Sequence, residues 1–228
     1  MNTAVVKNLA FVYNGQERKL FCGLDMKIAA GELVVLQGRN GAGKSTLCLC
    51  LTGIIPHAIK GVMTGDVVIN GKNTKENTVA QLAREIGIVF QNSECQLFSG
   101  TVEAEIAFAA ENFCVDPIKI RQMVDELAEQ LHLTHLLMHN PQRLSGGEKH
   151  LVALASVLAL DPGIIVLDEI MAGLDESARE RVTEVVLNLR KNGKTIIAVE
   201  HKPFFSQMAD QVIVLDDHDR QQRCDGGI

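Results

Sequence analysis

Gly38-Arg39-Asn40-Gly41-Ala42-Gly43-Lys44-Ser45-Thr46 is the stretch whose reading decides the fold. It follows the apolar run Leu33-Val34-Val35-Leu36 and precedes the helix-like run Leu47-Cys48-Leu49-Cys50-Leu51. Strand, glycine-rich turn, then helix is the context that a phosphate-binding loop requires. Gly38, Gly41 and Gly43 let the backbone turn tightly, so that successive N–H groups face one anion. The helix that follows adds its positive N-terminal end. On this reading Lys44 reaches the β- and γ-phosphates of a nucleoside triphosphate, and Ser45 gives its hydroxyl to Mg2+. Downstream, Ile164-Ile165-Val166-Leu167-Asp168-Glu169 ends a buried strand in two carboxylates. Asp168 is placed to hold Mg2+ through water, and Glu169 to orient or deprotonate the attacking water.

Composition sets the frame. The chain has 228 residues, enough for one large α/β domain. Its 46% hydrophobic content excludes a disordered chain. A net charge of -6 argues against a nucleic-acid-binding face. No apolar segment approaches the ~20 residues that cross a bilayer, and the N-terminus lacks the layout of a signal peptide. A soluble protein of the cytoplasm is therefore expected. Cysteines 22, 48, 50, 95, 114 and 224 include no Cys-x-x-Cys pair and read as small buried hydrophobes in a reducing compartment.

The beginning looks antiparallel, with strands over residues 5–13 and 20–28 around the turn Asn14-Gly15, and another short strand at 67–71. Residues 86–90 form an apolar run fit for a buried strand. About residues 92–142 read as a helical insertion, with Asp116-Pro117 opening a helix whose buried face carries Ile120, Val124, Leu127 and Leu131. The core resumes with a helix over 148–160, the strand before Asp168, a helix marked by Val182, Val186 and Leu189, and strands at 195–199 and 212–215. Strands alternating with helices predict a mostly parallel sheet covered on both faces, in one domain over 1–228. The tail over 223–228 is expected to fray.

Leu144-Ser145-Gly146-Gly147-Glu148 discriminates among phosphate-loop proteins. Ser145 and Glu148 make a capping box, but a capping box does not need two consecutive glycines. Serine and bare N–H groups at a helix start can meet an anion. Here the chain resembles the ATP-binding subunit of ABC transporters, whose signature is Leu-Ser-Gly-Gly followed usually by Gln. The resemblance implies a P-loop NTPase core, ATP and Mg2+ as ligands, and ATP hydrolysis coupled to transport. It implies that Ser145, Gly146 and Gly147 meet the γ-phosphate of ATP on a second ATPase subunit, in a homo- or heterodimer. Tyr13 sits where the family stacks an aromatic on adenine. Gln91 matches the glutamine that contacts Mg2+ and water and senses the membrane partner. Asp175, in Ala172-Gly173-Leu174-Asp175, matches the segment that passes signals across the dimer, and His201 matches the switch histidine at the γ-phosphate. Ile170-Met171 stand where the family usually has Pro-Thr.

Gln91-Asn92-Ser93-Glu94-Cys95-Gln96-Leu97-Phe98 is similar to the energy-coupling factor (ECF) branch, which imports vitamins, cobalt and nickel; Gln96 is its distinctive feature. That resemblance implies a transmembrane scaffold, a separate substrate-binding membrane subunit and a peripheral place on the cytoplasmic side. A non-transport ABC ATPase acting on nucleic acid or ribosomes is the alternative, against which the acidic balance weighs. His132, His135 and His139 lie three and four apart, on one face if helical, where they could bind a transition metal. Asn140-Pro141 and the surrounding leucines point instead to rim residues of a buried stretch.

Overall fold

In a computed structural model, which describes residues 2–215, the chain opens with β1 (Asn2–Tyr13), β2 (Phe21–Ala29) and β3 (Leu33–Gly38). Next come α1 (Lys44–Leu51), α2 (Ile54–His57), β4 (Gly61–Ile69), β5 (Lys72–Asn73), α3 (Val79–Leu82) and β6 (Ile86–Val89). It continues through α4 (Val102–Asn112), α5 (Pro117–Gln130), α6 (Gly146–Leu158) and β7 (Ile164–Asp168). It ends in α7 (Glu176–Lys191), β8 (Thr195–Val199) and β9 (Gln211–Leu215). Short 3₁₀ turns occupy Ser93–Cys95, Thr134–Leu136 and Pro141–Arg143.

Two sheets organise the chain. The first is antiparallel, in the order β2-β1-β4-β5; the second is wholly parallel, in the order β6-β7-β8-β3-β9. The apolar runs of the parallel strands follow from burial on both faces. Leu33, Val35, Ile165, Leu167, Ile196 and Ala198 face a core shared with α4, α5, α6 and α7. Their neighbours Val34, Leu36, Ile164, Val166, Ile197 and Val199 face a second core shared with α1 and the antiparallel sheet. The period-2 alternation of a strand thus serves two cores at once. The expected fold class holds: a P-loop NTPase core, an antiparallel N-terminal part and helices between β6 and β7.

Local signals explain most boundaries. Asp116 caps α5 by accepting from the N–H groups of Ile118 and Lys119, with Pro117 in the first turn. Ile170 and Met171, which replace the family's Pro-Thr, are buried in the core beside α6 and α7. Several expectations need correction. β4 begins at Gly61, not at residue 67. Two glycines disguised it: a Cβ at Gly61 would meet the Val12 carbonyl oxygen at 2.4 Å, and one at Gly65 the Asn8 carbonyl oxygen at 2.1 Å. Cys48 and Cys50 are buried as expected, but Cys95 and Cys114 are exposed. His132 takes a left-handed φ of 58° just after α5, and His135 lies in a 3₁₀ turn, so the three histidines share no helical face. Among the described residues no group of three or more histidine, cysteine, aspartate or glutamate side chains is arranged to hold a metal ion. Cys224 and the tail lie outside the described residues.

Candidate functional site

β6, β7, β8 and β3 run side by side in one direction, so the segments leaving them share one edge of the sheet. Ligands of open α/β sheets bind at this carboxyl edge. Gln91 follows β6, Asp168 ends β7, His201 follows β8, and the glycine-rich loop follows β3.

The loop leaves β3 at Gly38, where a Cβ would lie 2.5 Å from the Leu215 carbonyl oxygen of β9. It enters α1 through Gly43 in the left-handed region, at φ 90°. Arg39, Asn40, Gly41 and Ser45 stay exposed, while Ala42, Lys44 and Thr46 are buried. The Lys44 ammonium folds back across the loop and donates to the carbonyl oxygens of Gly38 (2.9 Å) and Arg39 (3.3 Å). The Tyr13 hydroxyl lies 2.9 Å from Thr46 Oγ1, and the Tyr13 ring meets Phe11 edge to face at 4.8 Å. The end of β1 is thereby fixed beside the first turn of α1.

Asp168 is buried, and burial is the main cause that pushes its carboxyl above the usual carboxylate range; the neighbouring charge of Glu169 adds to this. A hydrogen bond from Ser45 and the charge of Lys44 oppose the shift. Its Oδ1 is buried without a hydrogen-bond partner. An orphaned carboxylate oxygen beside a serine hydroxyl is a donor set for a hard divalent cation, which would favour the ionised form. The residues fit Mg2+.

Glu169 follows with φ 54°, a left-handed conformation that costs a non-glycine residue about 1–3 kcal/mol. Its N–H donates to the Val199 carbonyl of β8 (3.2 Å), and its carbonyl accepts from Ala172 N–H (3.0 Å). Its carboxylate Oε1 lies 2.7 Å from His201 Nε2 and 4.0 Å from Lys44 Nζ. Lys44, Glu169 and His201 therefore converge on one point, with Ser45 and Asp168 bonded alongside. A cavity of about 150 Å³ adjoins this group, lined among others by Glu169, Arg179, Glu200, His201 and Phe204. Glu200 is a residue whose part in the site the sequence alone does not announce. It is buried and accepts from Phe205 N–H (2.8 Å) and the Ser206 hydroxyl (3.2 Å), which shapes the turn carrying His201. Burial pushes its carboxyl up, and these bonds counter it.

The Leu-Ser-Gly-Gly stretch stands apart from that group. Ser145 caps α6: its N–H and hydroxyl bond Glu148 Oε2 at 2.8 and 2.7 Å, and its Oγ accepts from Glu148 N–H. The serine hydroxyl holds the Glu148 carboxyl below its usual value. The two glycines differ. A Cβ on Gly147 would meet the Ala178 Cβ of α7 at 2.8 Å, whereas one on Gly146 would meet nothing within 4 Å. Gly147 serves the packing of α6 on α7; Gly146 keeps an exposed surface bare. Accordingly Gly147→Ala should lower stability by about 1–3 kcal/mol, while Gly146→Ala stays within about 0.5 kcal/mol of the native protein. Thermal melts of both variants check this, and equal melting temperatures would refute the division of roles. Asp175 accepts from Ala178 N–H at 2.8 Å as the N-cap of α7. The Gln91 side chain is exposed, next to the α6 side of the sheet.

The family model described as ABC transporter matches residues 21–172. An ABC transporter ATP-binding protein of Pyrococcus abyssi is 40% identical over 218 residues, 95% of this chain and 78% of that protein. One of Treponema denticola is 36% identical over 212 residues, 92% of this chain and 43% of that longer protein. Among solved structures, cbiO1 from Clostridium perfringens, part of the ABC transporter complex cbiONQ, superposes with a TM-score of 0.82. It shares 31% identity over 93% of this chain and 84% of its own. The phosphate loop, the carboxylate pair and the serine-glycine helix start thus stand in a chain that belongs to the ABC transporter ATP-binding family.

Proposed function

We propose that the chain is a single ABC domain over 1–228, with its helical insertion at about 92–142. It hydrolyses ATP as a peripheral subunit of an ECF-type importer on the cytoplasmic side of the membrane, driving uptake of a vitamin or a transition-metal ion. Its partners are a second ATPase subunit, a transmembrane scaffold and a substrate-binding membrane subunit. The observation that carries the hydrolytic reading is the 2.7 Å contact between Glu169 and His201, 4.0 Å from Lys44.

In this reading the loop from Gly38 to Thr46 holds the phosphates, and Tyr13 stacks on adenine. Lys44 exchanges its bonds to Gly38 and Arg39 for phosphate oxygens. Mg2+ at Ser45, Asp168 and Gln91 supplies charge neutralisation at the phosphoryl oxygens. Glu169 takes a proton from the attacking water, and His201 fixes the orientation of that carboxylate while reaching the γ-phosphate. Ser145, Gly146 and Gly147 close over the ATP of the second subunit, which is why Ser145 and Gly146 stand exposed here. Asp175 lies at the start of α7 beside that surface and carries signals across the dimer.

Two findings support the ECF branch. One is the likeness to cbiO1, described as part of a cbiONQ complex. The other is Gln96, whose side chain accepts from Phe90 N–H at 3.2 Å and donates to the Ile88 carbonyl at 3.1 Å. The segment around Phe98 is held further by Glu105, which accepts from Phe98 and Ser99 N–H groups, and by Gln142, which donates to Leu97. Phe98 and Phe108 remain exposed on this braced segment, stacked edge to face at 4.6 Å. Affinity purification of the full chain from detergent-solubilised membranes of its own cell tests the proposal. A co-purifying polytopic membrane protein is the expected result; ribosomes or DNA in its place would overturn it.

A further inference from the structure

His150 lies in the second turn of α6 and is 7% exposed. Its Nδ1 is 2.8 Å from the carbonyl oxygen of Gly146, and its Nε2 is 3.3 Å from the carbonyl oxygen of Gln91. One buried ring therefore bridges the serine-glycine helix start and the segment after β6. The preceding residue, Lys149, forms an ion pair with Glu94 in the 3₁₀ turn of that same segment. Successive residues of α6 thus grip the Gln91 segment.

The two carbonyls lie in segments with different tasks. On the dimer reading proposed above, Gln91 serves the ATP held by its own subunit, and Ser145 to Gly147 serve the ATP held by the other. We propose that His150 is a positioning residue that couples the two ATP sites of the dimer. A neutral imidazole carries one ring N–H, so it donates fully to only one of its two carbonyl partners at a time. Its two tautomers are discrete states, one favouring Gly146 and the other Gln91, and each site biases the choice. A shift of the Gln91 backbone when ATP binds one site changes the hold on Gly146. That alters how Ser145 and Gly146 are presented to the ATP across the dimer.

Initial hydrolysis rates of the purified full chain against ATP concentration test the coupling. The native protein should show a Hill coefficient of about 2, the limit for two sites, and His150→Leu a value of about 1. His150→Gln, whose amide carries two N–H donors and so need not choose between the carbonyls, should likewise fall toward about 1. A merely structural role predicts a lower melting temperature and lower turnover with the coefficient unchanged. Should His150→Leu fail to fold, His150→Asn replaces it, since its shorter amide reaches Gly146 but not both carbonyls. A coefficient of about 2 in the folded variant, or of about 1 in the native protein, overturns the coupling. Gel filtration of Glu169→Gln with ATP separates the two levels of failure. Absence of an ATP-induced dimer removes the dimer reading; a dimer whose cooperativity ignores His150 removes this inference alone.

Discussion

Glu169→Gln is expected to lower ATP turnover by at least about 100-fold, because the amide cannot take a proton from the attacking water. ATP binding should survive. The loop, Tyr13 and Lys44 are untouched, and removal of a negative charge 4.0 Å from Lys44 Nζ favours the incoming phosphates. Gln can still bond His201 and has the same backbone chemistry at φ 54°, so the turn after β7 should persist. With hydrolysis blocked and binding intact, the ATP-loaded protein should accumulate as a closed dimer, visible as a doubled mass by gel filtration with light scattering. Turnover at the native rate would remove Glu169 from its role and move attention to His201.

Asp168→Asn should separate stability from function in opposite directions. The carboxyl of Asp168 is raised mainly by burial, and its Oδ1 has no hydrogen-bond partner. For a carboxyl whose folded value lies above its unfolded value, ionisation opposes folding. The penalty is absent below the unfolded value, grows as pH rises toward the folded value, and is complete above it. Asn carries no charge to desolvate, so the ligand-free variant should gain about 1–2 kcal/mol at neutral pH, about 2–8 °C in melting temperature. The gain should vanish in acid, where the native carboxyl is protonated. Conversely, loss of the carboxylate should weaken Mg2+ affinity about 10–100-fold, as expected for a residue holding the metal through water. The Mg2+ dependence of turnover and of ATP-induced stabilisation reads this directly. A variant with unchanged melting temperature and unchanged Mg2+ dependence would deny Asp168 the metal.

Much of this was legible in the sequence where local chemistry decides structure. Lys44 and Asp168 could be placed because each follows an apolar run that reads as a buried strand, and His201 through the family resemblance. Parallel pairing then brings the ends together without further instruction. Asp116 and Ser145 announced their helices because capping is a local hydrogen bond. Features set by contacts far apart in the chain were hidden. Nothing in residues 61–66 shows that Gly61 and Gly65 lie against β1, so the sequence shows the strand only from residue 67. The two glycines of the signature read alike, although Gly147 answers to Ala178 and Gly146 to open space. The left-handed turn of Glu169 and the bridge made by His150 also depend on residues from other elements. The histidines at 132, 135 and 139 share no helical face for a local reason: α5 ends at Gln130, before the first of them, and His135 lies in a 3₁₀ turn.

β6 forms the outer edge of the parallel sheet, and the side chain of Gln96 occupies the carbonyl of Ile88 and the N–H of Phe90. An open edge strand is a template on which another chain can add, and an exposed hydrophobic one is a site of aggregation. One amide here does what a neighbouring strand would do, at the point where the sheet would otherwise grow. The residue that reads as a mark of branch identity is therefore also a guard against polymerisation.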